Sequence, residues 1–156
     1  MTGYIGFLRN YVGHQPIQMC GAGVFVENEQ GELLLGLRTD NHCWGIAGGA
    51  VELGETVEAA AMREMFEETG LIADELELLG VFSGEDTHYT YPNGDEVYII
   101  DVKFVCRKYH GTLKSQDNEV SELRFFPVDK LPENISPPEK ESFKKYIELR
   151  KTQSRS

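Results

Sequence analysis

Residues 48–71 read GGAVELGETVEAAAMREMFEETGL, and this stretch decides the fold. It places Arg63, Glu64, Glu67 and Glu68 on one short helix, directly after a loop holding Gly48, Gly49 and Gly54. Thr56 is the N-cap, Glu58 puts an acid in the first turn where the helix dipole favours it, and Gly70 is the C-terminal stop. Ala59, Ala60, Ala61 and Met62 are strong helix formers. At about 100° per residue, Glu64, Glu67 and Glu68 fall within an arc of roughly 100°. The same spacing predicts Ala61, Met62, Met65 and Phe66 on the adjoining side, packed on a sheet. Arg63 stands four residues before Glu67, a spacing that allows an ion pair orienting that glutamate.

Three carboxylates on one stripe repel one another, and Arg63 offsets one charge at most. Two readings fit. One is a solvated acidic helix face, the usual fate of a charge run. The other is a site for a hard, oxygen-seeking divalent cation, Mg²⁺ or Mn²⁺, that grips a phosphate in turn. The ordered glycines and the arginine favour the second.

That order of residues resembles the Nudix box. Gly49, five residues, Glu55, seven residues, Arg63-Glu64, an apolar residue, any residue, Glu67-Glu68, any residue, Gly70 and a final apolar residue match every fixed position. Met65 fills a place more often aliphatic, and Ala47 replaces a proline common before the paired glycines. The looser likeness runs from about Met19 to Pro132. It implies an α/β protein with the Nudix fold, a mixed β-sheet sandwiched between α-helices. The implied activity is cleavage of a pyrophosphate bond in a nucleoside diphosphate linked to another group, by water attacking phosphorus. It further implies metal ligation by Glu64, Glu67, Glu68 and the Gly48 carbonyl, catalytic roles for Glu64, Arg63 and Glu67, and Arg63 as the residue holding the glutamates in register. Glu64 is the preferred group to activate water. Glu119 stands in the loop where the family often supplies another carboxylate, with Glu122 its competitor. Arg38 ends a strand-like run where similar proteins place a basic group near substrate phosphates, and an ordinary strand-end arginine fits the position equally.

Around the box, 156 residues with 40% hydrophobic content fit a single Nudix hydrolase domain over residues 1–156 with a real core. The N-terminal helix is expected at about 2–12, with Tyr4, Phe7, Leu8 and Tyr11 at helical spacing and Gly13 as its end. Strands are expected at Met19–Val26, Leu33–Leu37, Trp44–Ala47, Leu76–Phe82, Glu96–Cys106 and Leu123–Phe126. Glu29-Gln30-Gly31 turns between the first two, and Pro92-Asn93-Gly94-Asp95 precedes the Glu96 strand. A last helix follows Pro137-Pro138, at about 138–150, with a frayed tail from Thr152.

The net charge of −11 argues against attraction of nucleic acid, so no stable nucleic-acid partner is expected and processing of RNA 5′ ends is disfavoured. It is compatible with a nucleotide-type small-molecule substrate, because bound cations reverse the field locally. Cys20, Cys43 and Cys106 show no metal-ligand or disulfide spacing; Cys20 and Cys106 read as buried thiols, and Cys43 beside His42 is a poor nucleophilic dyad. No secretory signal or long apolar span is visible, so a cytoplasmic protein without membrane association is expected. A homodimer is possible through strands or terminal helices.

Between two strand-like runs, His88, Tyr89 and Tyr91 form an aromatic group that suits either a base-stacking surface or a polar hairpin with half-buried tyrosines. A tyrosine at this distance past the box, Tyr89 being the candidate substrate contact, resembles the pattern of dinucleoside polyphosphate hydrolases. The proline expected of ADP-ribose hydrolases is absent at that distance, since Pro92 falls several positions later. A nucleoside triphosphate, a dinucleoside polyphosphate and a nucleotide sugar all remain open as substrates. The alternative to an enzyme is a non-catalytic Nudix-type nucleotide-binding or sensor module.

Overall fold

A computed structural model describes residues 3–154. In chain order the elements are α1 (Gly3–Val12), β1 (Ile17–Val26), β2 (Leu33–Arg38), β3 (Trp44–Gly45), β4 (Ala47–Ala50) and α2 (Val57–Thr69). They continue with β5 (Leu71–Phe82), β6 (His88–Thr90), β7 (Glu96–Gly111), β8 (Val120–Phe126) and α3 (Lys140–Ser154). The first sheet has the order β4-β1-β7-β5, with β6 also paired to β7; the second has the order β3-β2-β8. β1 and β7 run parallel from Ile17↔Val97 to Val26↔Cys106, and every other pair is antiparallel. The expected mixed α/β architecture is present.

The helices pack on this frame through small and apolar residues. Ala60, Ala61 and Met65 of α2 join Ala22, Val24, Val26, Ala47 and Phe104 in one core cluster. Phe143 and Tyr146 of α3 pack on Phe25, Leu33, Leu35, Trp44 and Val105 in another. Met65 is fully buried, worth roughly 1.5–3 kcal/mol against an exposed methionine.

Several expectations need correction. The Glu29-Gln30-Gly31 turn exists, with the Gly31 N–H donated to the Asn28 carbonyl at 3.0 Å, but its two strands enter different sheets and are bridged as strands only at Glu27↔Leu33. β5 begins directly after Gly70, five residues before the predicted start, because its first half alternates buried and exposed residues without a long apolar run. β7 continues to Gly111, and β6 was not predicted. On α1, Phe7 and Tyr11 face solvent and Ile5 is the buried residue; the predicted Thr2 start lies outside the described residues. On α2, Met62 and Phe66 are exposed at 39% and 44%, so the face against the sheet is centred on Ala61, Glu64, Met65 and Glu68. Cys20 is exposed, whereas Cys106 is buried as predicted. The last helix runs to Ser154, with the Thr152 hydroxyl donating to the Glu148 carbonyl at 3.1 Å, so Thr152 does not begin a frayed tail. Among the described residues no helix is long and apolar enough to cross a membrane.

Candidate active site

The helix that carries the acids is fixed at both ends by the residues its sequence supplies. The Thr56 hydroxyl accepts the Ala59 N–H at 3.1 Å, and Gly70, at φ 78°, donates its N–H to the Phe66 carbonyl at 2.8 Å. The left-handed conformation at Gly70 is the one that costs glycine least.

Arg63 is the hub of the acidic cluster. Its Nε and Nη2 grip both oxygens of Glu55 at 2.8 and 2.9 Å, Nη1 reaches Glu64 Oε1 at 2.8 Å, and Nη2 also donates to the Ala50 carbonyl at 3.0 Å. The expected contact with Glu67 is present but longer, at 3.4 Å. Glu55 is therefore the main partner that the spacing argument missed, because the two residues meet through a loop rather than along a helix. Glu55 holds its proton less tightly than an ordinary glutamate, chiefly through the Arg63 hydrogen bonds.

Glu64 and Glu68 turn inward against β4 and β1. Glu64 is 9% exposed, and burial pushes its carboxyl up to about 7, opposed by Arg63 and reinforced by Glu67 and Glu119. Glu68 is 3% exposed and is raised by burial and then by the charge of Glu64. Its Oε2 accepts the Gly48 N–H at 3.3 Å, while its Oε1 is buried with no hydrogen-bond partner. Gly49 leaves room for this arrangement: a Cβ there would sit 2.5 Å from Glu64 Oε1. Glu67 stands at the open edge, its side chain 44% exposed.

The loop after β7 closes over the end of α2. Lys114 and Gln116 donate backbone N–H groups to the Thr69 and Glu67 carbonyls at 2.7 and 2.8 Å. This docking carries Glu119 into the field of Glu64 and Glu68, and burial followed by the Asp117 charge raises the Glu119 carboxyl itself. Glu122, the competitor, is tied to exposed Arg124. Asp117 is a further acid of this cluster that the sequence reading did not single out.

Arg38 forms a forked pair with Asp40, Nε to Oδ1 at 3.0 Å and Nη2 to Oδ2 at 2.8 Å. Burial works against its charge, and Asp40 more than restores it; Glu139 and Glu68 add to the effect. The Tyr89 hydroxyl accepts from Asn41 at 3.0 Å, and its ring meets Tyr91 edge-on with centroids 4.9 Å apart. Arg38 and Tyr89 thus flank one loop, residues 38–43. His88 is occupied by Glu96 at 2.7 Å. Cys43 donates its thiol to the Asn41 carbonyl rather than to the His42 ring, which speaks against a dyad. Trp44 is a core residue set edge-on to Phe126.

A buried charged triad also escaped the sequence reading. Lys103 Nζ lies 2.9 Å from Asp101 Oδ2 and 3.8 Å from Glu139 Oε1. Burial alone would push the ammonium down, and the two carboxylates more than reverse that, so Lys103 stays charged. Glu139 Oε2 accepts the Ile46 N–H at 3.3 Å, which ties the start of α3 to the β3–β4 link.

Among the described residues no three acidic, histidine or cysteine side chains stand in ligating geometry together. The chemistry of the donors nevertheless fits a divalent cation. Glu68 keeps a buried oxygen without a partner, and the raised acids Glu64, Glu68 and Glu119 crowd together with Arg63 beside Glu64 and the Arg38 charge opposing the rise at Glu68 and Glu119. A hard cation drawn to oxygen is the partner that such a crowd lacks.

Residues 18–146 match the NUDIX domain family. The chain belongs to this family. An ADP-ribose pyrophosphatase from Methanocaldococcus jannaschii is 42% identical over 90 residues, covering 58% of this chain and 49% of that protein. An RNA pyrophosphohydrolase from Roseobacter denitrificans is 32% identical, covering 81% of this chain and 86% of that one. The chain thus spans about half the length of the first relative and most of the second. Among solved structures, a MutT Nudix hydrolase from Burkholderia pseudomallei superposes with a TM-score of 0.69 at 26% identity, covering 84% of this chain and 98% of that one. These likenesses group this Nudix chain with hydrolases of phosphoric anhydride bonds, a class that generally uses divalent metal ions.

Proposed function

We propose that this Nudix chain acts as one hydrolase domain that cleaves a pyrophosphate bond in a nucleoside diphosphate derivative with Mg²⁺ or Mn²⁺. The substrate is a nucleoside triphosphate, a dinucleoside polyphosphate or a nucleotide sugar, and the expected compartment is the cytoplasm. The observation that carries this reading is the inward pair Glu64 and Glu68, raised by burial and crowding, with an unpartnered Glu68 oxygen beside Gly48.

Glu64, Glu67, Glu68, Glu119 and the Gly48 carbonyl would hold the cation. When bound, the cation neutralises phosphate oxygens and acidifies water. Glu64 is the preferred group to take a proton from the attacking water or to orient it. Arg63 fixes the direction of Glu64 through Nη1 while Glu55 holds the guanidinium from behind. Arg38, whose charge acts on Glu68 and Glu119, would supply positive charge for substrate phosphates, and Tyr89 would supply a ring beside them. The two relatives' names point to different substrates, ADP-ribose and RNA.

The test is phosphate-anhydride hydrolysis over a panel of nucleoside triphosphates, dinucleoside polyphosphates, nucleotide sugars and 5′-triphosphorylated RNA, with wild type and Glu67→Gln. Metal-dependent release by the wild type and its loss in the variant are expected. Release that survives the substitution would break the link between α2 and catalysis, and tight nucleotide binding without release by the wild type would turn the reading into a sensor.

A further inference from the structure

Helix α1 lies outside residues 18–146, the part matched by the family, yet it is tied directly to the catalytic loop. The Tyr4 N–H donates to Glu52 Oε2 at 2.8 Å. Gly3, at φ 88°, lets the carboxylate come that close, because a Cβ there would strike Glu52 Oε1. Glu52 in turn donates its own N–H to Glu55 Oε1 at 3.0 Å. Glu55 is the forked partner of Arg63, which holds Glu64. An unbroken line of hydrogen bonds therefore runs from the first turn of α1 to the inward acid of α2.

The rest of α1 is anchored as firmly. Arg9 donates to the carbonyls of Gln15 at 2.7 Å, Glu96 at 2.8 Å and Gly13 at 2.9 Å, which fixes the far end of the helix to the start of β7. Ile5 is buried with Met19, Val97 and Ile99, and Tyr89, Tyr91 and Ala50 pack against that cluster. One helix thus meets the box loop at its N-terminus, and its Ile5 belongs to the cluster on which the aromatic pair packs.

We infer that Glu52 is a positioning residue: by docking the N-terminus of α1 it sets Glu55 and Arg63, and through them the direction of Glu64. The inference rests on the reading of Glu64 as a metal ligand given under the proposed function. A neutral oxygen at position 52 retains the acceptor for Tyr4, so Glu52→Gln should preserve the dock, whereas Glu52→Ala removes it. Gly3→Ala breaks the same contact from the helix side and leaves every residue of the box unchanged.

The experiment uses the full chain, with Mn²⁺ as the probe. Backbone amide hydrogen exchange in α1 and Mn²⁺ affinity by calorimetry are measured for wild type, Glu52→Ala, Glu52→Gln and Gly3→Ala. Expected are exchange in the first turns of α1 faster by at least about tenfold and Mn²⁺ affinity weaker by about tenfold in Glu52→Ala and Gly3→Ala. Glu52→Gln should stay near wild type in both. Unchanged exchange in both disruptive variants would overturn the dock. Faster exchange with Mn²⁺ affinity still within about twofold of wild type, well short of the loss expected on removing an outer-shell partner, would overturn the line from α1 to Glu64. No Mn²⁺ uptake by the wild type would overturn the metal reading itself and the relay built on it, a result distinct from the other two.

Discussion

Replacing Gly49 by alanine should remove most of the activity and little of the stability. Its φ is not in the left-handed region, so the backbone accepts alanine. The new methyl would meet Glu64 Oε1 at 2.5 Å, Cδ at 2.6 Å and Oε2 at 2.9 Å, whereas ordinary contact begins at 3.4 Å. The carboxylate must therefore retreat by about 1 Å, the scale at which misplaced groups cost roughly 10²-fold in rate. That corresponds to about 2.7 kcal/mol of lost transition-state stabilisation. The atoms displaced are the end of a flexible side chain, so the folding cost is about 1 kcal/mol, or about 2–4 °C in Tm. Gly48→Ala is the comparison for folding cost alone. Its Cβ would sit 2.8 Å from the Ala22 carbonyl oxygen and 2.9 Å from Gly23 Cα, both β1 backbone, so it should cost about 1–3 kcal/mol in stability. The assay pairs thermal unfolding with metal-dependent hydrolysis of a nucleoside diphosphate derivative that the wild type cleaves. A fully active Gly49→Ala, or one as destabilised as Gly48→Ala, would refute the placement of Glu64.

Other outcomes follow from the same contacts. The folded protein keeps a proton on Glu64 up to about pH 7, whereas the unfolded chain releases it near the ordinary glutamate value, so metal-free stability should fall as pH rises through this window. The loss for Glu64 alone is up to about 3 kcal/mol, and Mn²⁺, which binds the deprotonated acids, should reverse it in melts recorded from about pH 5 to about pH 8. Thr56→Ala removes the N-cap bond of α2 and should lower stability by about 1 kcal/mol, read as a Tm drop of about 2–4 °C. Lys103→Met leaves Asp101 and Glu139 buried without their cation and should cost about 3–5 kcal/mol in chemical denaturation; a neutral result would show that the triad does not brace α3.

The sequence made α2 legible because its signals agree: the Thr56 cap, the Gly70 stop and the alanine run all specify one helix. The strand cores were legible where apolar residues run on, as in β1 and β2. They failed at the first half of β5, where Ala73, Asp74, Glu75 and Leu76 carry no strong pattern and the pairing with β7 decides. Helical spacing located the acids but not the face that meets the sheet. Alanines allow α2 to lie close, so Glu64 and Glu68 are buried while Met62 and Phe66 remain in solvent. Residues joined across the fold were invisible to spacing. Glu55 reaches Arg63 through a loop, Glu52 reaches α1, and Asp101, Lys103 and Glu139 meet only once β7 and α3 are in place.

The central claim is that the inward face of α2 gathers a divalent cation. It is tested most directly by calorimetric titration of Mn²⁺ into wild type and Glu68→Gln at a pH slightly above 7. The account predicts saturable binding by the wild type, weakened by at least about tenfold when this buried carboxylate, whose Oε1 has no hydrogen-bond partner, becomes an amide. Equal affinity in the two proteins, or no heat of binding in the wild type, would contradict it.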